Sequence, residues 1–284
     1  MKFGRYYEIR IKTPDGYLIT IKPPITAVIE VQRDMRAAVN NANLTIYNLA
    51  PDTRGRIYTD IYNTLQRWQM SIVAGYGETE LYEIFRGNIE EAYSLKQNTD
   101  WVTTIKAYDG SYQIKAGFAN ETIEKGVDLK GQIERVIHTM PEMLTGVLGG
   151  PAQGNGGPRG KVLTGNSYDV VQELTDNHAF IDGETLYVLG DDEVLSGDAF
   201  VLSGENLFST PKRRDTYLEA EAQFSPEIRI GHFCELKSTD PRYDGQYQVY
   251  GLKHAVTFGD GMAGDAITTV SLNAGARRFS EVSE

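Results

Sequence analysis

The sequence predicts a mainly β protein with a few short helices, built as two β-rich modules separated by a small helix-containing insertion. Three observations carry this expectation. Alternating apolar and polar runs recur along the chain; in Trp101–Tyr108, for example, Trp101, Thr103, Ile105 and Ala107 share one face and Val102, Thr104, Lys106 and Tyr108 the other. The composition, with 17 Tyr and 29 Gly in 284 residues, favours strands joined by tight turns. Helical spacing is confined to a few short stretches.

In the first module, Tyr6–Ile11 and Tyr17–Ile21 flank Thr13-Pro14-Asp15-Gly16, which reads as a hairpin turn. Ala27–Gln32 and Asn43–Tyr47 are further strands. Pro51 suits the first turn of a helix over Thr53–Tyr62, with Ile57, Ile61 and Leu65 at helical spacing. Gln69–Gly75 is a strand. A strand rich in aromatics then leads into Arg86-Gly87, a second begins at Asn88, and polar residues Lys96–Asp100 turn the chain into Trp101–Tyr108. Residues 1–109 are thus expected to form one β-barrel or sandwich carrying a helix.

Residues 110–210 read as the insertion. Tyr112–Ala116 and Ala119–Ile123 are short β-like segments, and the strands of 110–125 are expected to complete the second module. Leu129, Ile133, Val136, Ile137 and Met140 predict a helix over Asp128–Met140. Thr145–Gly160 holds seven glycines and two prolines in sixteen residues, so 145–160 is expected to be a loop or flexible linker. Asn166 or Ser167 caps a second helix, Ser167–Asn177. Asp182-Gly183-Glu184 joins Ala179–Ile181 and Thr185–Leu189 as a hairpin, and Phe200–Leu202 is a short strand. The second module, 211–276, contains Tyr217–Phe224, Phe233–Lys237, Gln246–Val256 and Ala266–Leu272. Residues 277–284 form a polar tail expected to fray.

A net charge of −11 and a pI of about 5.0 argue against a surface that grips nucleic acid, which requires cations against phosphates. The single cysteine, Cys234, excludes an intramolecular disulfide and a four-thiolate zinc site, and reads as a small buried hydrophobe. The N-terminal MKFGRYYEIRIK lacks the apolar run of a signal peptide, and no 18-residue apolar stretch spans a membrane.

Motifs for chemistry fail in context. Gly259-Asp260-Gly261-Met262-Ala263-Gly264 fits a dinucleotide fingerprint in letters only, since a strand follows it; it reads as a hairpin loop. Gly160-Lys161 lacks the earlier glycine and the following hydroxyl of a phosphate loop. His138, His178, His232 and His254 stand in no ligand spacing, and His138 and His178 suit helix C-termini. Asp191-Asp192-Glu193 reads as a solvated turn. No catalytic, cofactor-binding or metal-binding residue is expected, and no interface residue is singled out; Tyr47, Phe85 and Trp101 read as core more than as contact surface.

Several stretches, taken in order, resemble the baseplate hub proteins of contractile-tailed bacteriophages, a tail-tube-capping family. They are Ala42-Asn43-Leu44-Thr45-Ile46-Tyr47-Asn48-Leu49 before a helix; Ile84-Phe85-Arg86-Gly87-Asn88-Ile89; Asp100-Trp101-Val102-Thr103-Thr104-Ile105 with Asp109-Gly110; and the helix after Gly165. The late block carries Thr210-Pro211-Lys212-Arg213-Arg214-Asp215, then Pro226-Glu227-Ile228-Arg229-Ile230-Gly231, then Gly245-Gln246-Tyr247-Gln248-Val249 and Gly251-Leu252-Lys253-His254. The resemblance spans Tyr6 to Ala276. It implies two tail-tube-like β-barrels per chain and a homotrimer that joins a hexameric tail tube to a trimeric central spike. It also implies further baseplate proteins and a tape measure protein as partners, no cofactor, no membrane, and a place in the virion after assembly in the host cytoplasm. DNA would pass through an acidic lumen without specific binding. The rival expectations are a tail-associated cell-wall hydrolase and a carbohydrate-binding β-module.

Overall fold

The computed structural model describes residues 4–36, 39–58, 67–259, 264–273 and 280–282. The chain is mainly β. Strands β1 (Arg5–Lys12), β2 (Leu18–Ile21), β3 (Ala27–Asp34) and β4 (Asn41–Tyr47) precede helix α1 (Pro51–Arg56). Next come β5 (Gln69–Tyr76), β6 (Glu80–Gln97) and β7 (Asp100–Tyr108). The insertion holds α2 (Ser111–Ala116), β8 (Phe118–Ile123), α3 (Leu129–Ile137), β9 (Leu144–Leu148), β10 (Lys161–Asn166), α4 (Ser167–Leu174), β11 (Ala179–Asp182) and β12 (Thr185–Val188). The remainder is β13 (Glu193–Ser203), β14 (Lys212–Arg213), β15 (Tyr217–Gln223), β16 (His232–Lys237), β17 (Gly245–Phe258), β18 (Ala266–Asn273) and β19 (Ser280–Val282). Among the described residues, no helix is long and apolar enough to cross a membrane.

One large sheet runs β14-β15-β18-β17-β3-β4-β7-β6-β5-β1-β2, with β16 joining β17 and β13 joining both β16 and β19. Along the described strands this path has β14 at one end and β2 at the other, so it traces no closed barrel. Strand β17 is its hinge piece. Its early residues pair with β16, and Gly251–Phe258 pair antiparallel with Asp34–Ala27 of β3. The other edge of β17 is lined by β18.

Burial sorts the side chains into three cores. The first is built from β1–β7, with Ile9, Ile11, Ile29, Leu44, Ile46, Ile72 and Ile105 inside, and it also takes Phe224, Val256 and Phe258 from the C-terminal strands. The second gathers Leu218, Ala220, Cys234, Leu236, Val249, Val270 and Leu272, together with Phe180, Val147 and Leu189 of the insertion. The third lies inside the insertion, where Ile133, Val136, Ile137, Tyr168, Val171 and Leu186 meet. The alternation read from Trp101–Tyr108 holds from Thr103 onward, with Thr103, Ile105 and Ala107 buried, whereas Val102 on the other face is buried as well.

Several sequence expectations change. The break expected at Arg86-Gly87 is absent, and β6 runs unbroken for 18 residues, bending at a bulge after Ile89. Gly87 sits where a Cβ would lie 2.5 Å from the Tyr108 carbonyl oxygen, so it marks a close backbone approach, not a turn. Tyr112–Ala116 is helical, not β-like. Gly110 at φ +68° reverses the chain, and its carbonyl accepts the Ile114 N–H to start α2. β8 pairs with β10, so the strands of 110–125 do not complete the second core; β13 does so, and it is an 11-residue strand where only Phe200–Leu202 was expected.

The 145–160 stretch, expected to be a loop or flexible linker, is a loop after its first residues. Its first residues form β9, parallel to β12, and its later ones are tied down. Gly150 N–H donates to the Glu193 carboxylate, and Leu129 N–H donates to the Gly154 carbonyl. In the expected frayed tail, Ser280–Val282 pairs parallel with Glu193–Leu195, because β13 offers an open ladder there. α1 stops at Arg56, and Ile61 and Leu65 lie outside the described residues, as do 260–263 of the glycine motif.

Candidate functional site: a polar junction at the tip of the insertion

The β11–β12 hairpin turns through two residues, Gly183 and Glu184, both in the left-handed region at φ +63° and +61°. This tight turn matches the twist of the strands and leaves the N–H groups of both residues outside the ladder. They point at one carboxylate. Asp109, at the end of β7, accepts from Gly183 N–H at 2.7 Å and from Glu184 N–H at 2.8 Å. Asp109 is itself fixed, because its N–H donates to the Asn40 carbonyl. Asn40 in turn donates its side-chain N–H to the Ile181 carbonyl at 2.8 Å.

Charged residues surround this contact. The buried Arg33 guanidinium, 5% exposed, donates through Nη1 to both oxygens of Asp182 at 3.2 Å. Glu184 Oε1 accepts from Arg67 Nη2 at 3.1 Å, Gln113 Nε2 at 3.1 Å and Asn88 Nδ2 at 3.4 Å. Arg67 also reaches Glu142 at 2.6 Å and lies 4.3 Å over the Tyr112 ring. Burial pushes the Asp109 carboxyl up to about 7, helped by the like charge of Asp182 and opposed by the two backbone donors. A cleft of about 240 Å³ opens beside the junction, where Arg33 and Arg86 of the first module, Asp182 and Tyr187 of the insertion, and Arg229 of the second module meet.

Comparison with known proteins fits this architecture. The model of the family described as Baseplate hub gp41 matches residues 8–261. The chain belongs to the baseplate hub gp41 family. No curated protein matches by sequence. Among solved structures, a tail protein from Neisseria meningitidis aligns at TM-score 0.65 and 10% identity, over 97% of this chain and 98% of that one. The 43 kDa tail protein of prophage MuSo2 from Shewanella oneidensis aligns at 0.60 and 9% identity, over 95% and 98%. The E. coli c3393 protein, a type VI secretion system component described as similar to phage T4 tail proteins gp27 and gp5, aligns at 0.57 and 10%, over 90% and 76%. At such low identity these likenesses speak for the fold alone. Family membership makes the chain a structural tail component of the baseplate hub type.

Within this hub fold, the side chains singled out in the sequence take separate places. His254 is fully buried on β17, with Nδ1 2.9 Å from Thr268 Oγ1 and its ring edge-on to Phe224; burial lowers it to about 3. His138 follows α3 as its C-cap, and His178 Nδ1 lies 3.0 Å from the Thr175 carbonyl beyond α4. His232 opens β16, and burial first, then Arg229, lowers its pKa. Asp191, Asp192 and Glu193 diverge: Asp191 pairs with Arg36, the Asp192 carbonyl accepts from Ser280, and the Glu193 carboxylate accepts from Gly150 and Gly190. Cys234 is buried in β16, with its thiol pushed up to about 12. Lys161 after Gly160 opens a strand, so no helix N-terminus follows to hold a phosphate. Phe85 is core, whereas Trp101 is half-buried beneath Arg54, 3.9 Å from its ring centroid. The polar junction was not foreseen. Its one signal is Arg33, which shares the inward parity of Ala27, Ile29 and Val31 on β3.

Proposed function

We propose that the chain is a baseplate hub subunit that assembles as a homotrimer and joins the hexameric tail tube to the trimeric central spike. The observation that carries this reading is the pairing of family membership with two β cores side by side in one chain. Two tube-like modules in each of three chains supply six positions, which reconciles a sixfold tube with a threefold spike. On this reading residues 1–109 are the first tube-like domain, 110–210 the insertion, 211–276 the second module with β13 added to it, and 277–284 the C-terminal segment. Each module closes into a barrel-like wall only in the ring. The partners are the tail tube protein, the central spike protein, neighbouring baseplate proteins and the tape measure protein. The protein resides in the virion after assembly in the host cytoplasm, and its role is structural, without catalysis.

The net charge of −11 supports a lumen wall that repels phosphate, so that DNA slides through without being held. Electron microscopy of the purified protein, alone and with its spike, tests the reading. Threefold rings with a central channel are the expected result; compact monomers under both conditions overturn it.

A further inference from the structure

The insertion touches its two neighbours through opposite chemistry. The first core contains no residue between 110 and 190, whereas Val147, Phe180 and Leu189 lie within the second core and Tyr187 packs against it. Phe180 and Tyr187 stack at 5.4 Å on that side. Toward the first module the side-chain bonds are polar: Asp109 to the Gly183 and Glu184 N–H groups, Arg33 to Asp182, Arg67 to Glu142 and Glu184, and Asn40 to the Ile181 carbonyl.

We propose that the β11–β12 hairpin is a releasable latch: the insertion lifts off the first β module while staying seated on the second core.

The physical basis is the cost of keeping that face closed. Closure buries the Asp109 carboxyl and the Arg33 guanidinium. Arg33 Nε and Nη2 and Gln113 Oε1 are buried there without a hydrogen-bond partner. Buried ion pairs of this kind give back in attraction about what they lose in desolvation, so the closed state holds only a small margin. Apolar burial on the second core carries no such charge and is lost only on unfolding. Opening needs few backbone changes. Gly110, at φ +68°, sits between β7 and α2, and the hairpin tip is a two-residue turn. The latch is therefore a local opening with its own free energy, separate from global unfolding.

Hydrogen exchange read by mass spectrometry on the full chain tests this. In the wild type, amides of 179–188 and 109–114 should open together and faster than those of β17 and β18. Asp109→Asn places an amide donor against a backbone donor, and should raise exchange in those two segments roughly tenfold or more while leaving 249–272 unchanged. Glu184→Gln should act on the same segments with a smaller increase. If Asp109→Asn and Glu184→Gln leave 179–188 unchanged, or raise exchange equally in β3, β17 and β18, the latch does not exist.

Discussion

Two seams bound the first β core. Along one, β17 pairs with β3 from Gly251↔Asp34 to Phe258↔Ala27, and Phe224, Val256 and Phe258 enter the core itself. Along the other, a hairpin tip rests on Asp109 amid Arg33, Arg67, Glu184 and Gln113. The first seam is apolar and ladder-bonded; the second is charged and made chiefly by side chains and turn N–H groups. Sheet continuity and aromatic burial weld two elements into one cooperative unit. A buried polar contact fixes one orientation while adding little net stability. The protein thus joins its two β cores permanently and its insertion conditionally.

The largest expected effect breaks the apolar seam. Phe224 is fully buried, tilts against Tyr76 at 6.1 Å and meets Phe258 and His254 edge-on. Phe224→Ala should cost about 3–5 kcal/mol and lower the midpoint of both β cores together in chemical denaturation. The polar seam should respond differently. Asp182→Ala strips Arg33 of its carboxylate partner and should cost about 3 kcal/mol, whereas Arg33→Met combined with Asp182→Ala should recover most of that loss. A double-mutant cycle in urea checks this, and failure of the double variant to recover would make the two seams alike.

The pH profile sharpens the same contrast. Asp109 is raised in the folded state from 3.8 to about 7, so its relative stabilisation is complete below 3.8 and is lost as pH rises through 7. His254 is lowered from 6.5 to about 3, so its contribution is present above 6.5 and is lost as pH falls toward 3. The two oppose each other across the acidic range. His254→Phe should give a protein whose stability falls from pH 4 to 7, and Asp109→Asn one whose stability rises from pH 3 to 6.5. Thermal melts across this range show which group dominates. The smallest effect concerns the insertion alone: Asp128 Oδ1 accepts the Gly131 N–H to cap α3, and Asp128→Ala should cost about 1 kcal/mol without moving the β cores.

The strands of the first core were legible because one face is buried, so Ile9, Ile11, Ile29, Val31, Leu44 and Ile46 alternate cleanly. The cap was legible where Asn166 precedes an apolar repeat, whereas Asp128, read as the first helical residue, is the cap of α3. α2 was not, because Ser111–Ala116 is too short to show a period and its start depends on the positive φ of Gly110. Nor was β9, where Gly146 and its neighbours mimic a loop but serve close approach to Tyr187 and Thr185. The polar junction unites residues 33, 67, 109 and 184, and no local pattern encodes which distant charges meet. Only an arginine at an inward position of β3 hinted at it.

The long strand β17 has a temporal consequence. Its partner on β3 was synthesised more than two hundred residues earlier, and the first core stays open at Ile29 and Ala27 until Val256 and Phe258 arrive. At roughly 5–20 residues per second, the N-terminal half waits on the ribosome for tens of seconds with an unpaired edge. Contacts of such long range also slow the final search. The strand that welds the cores therefore makes the nascent chain dependent on whatever shields β3 during translation.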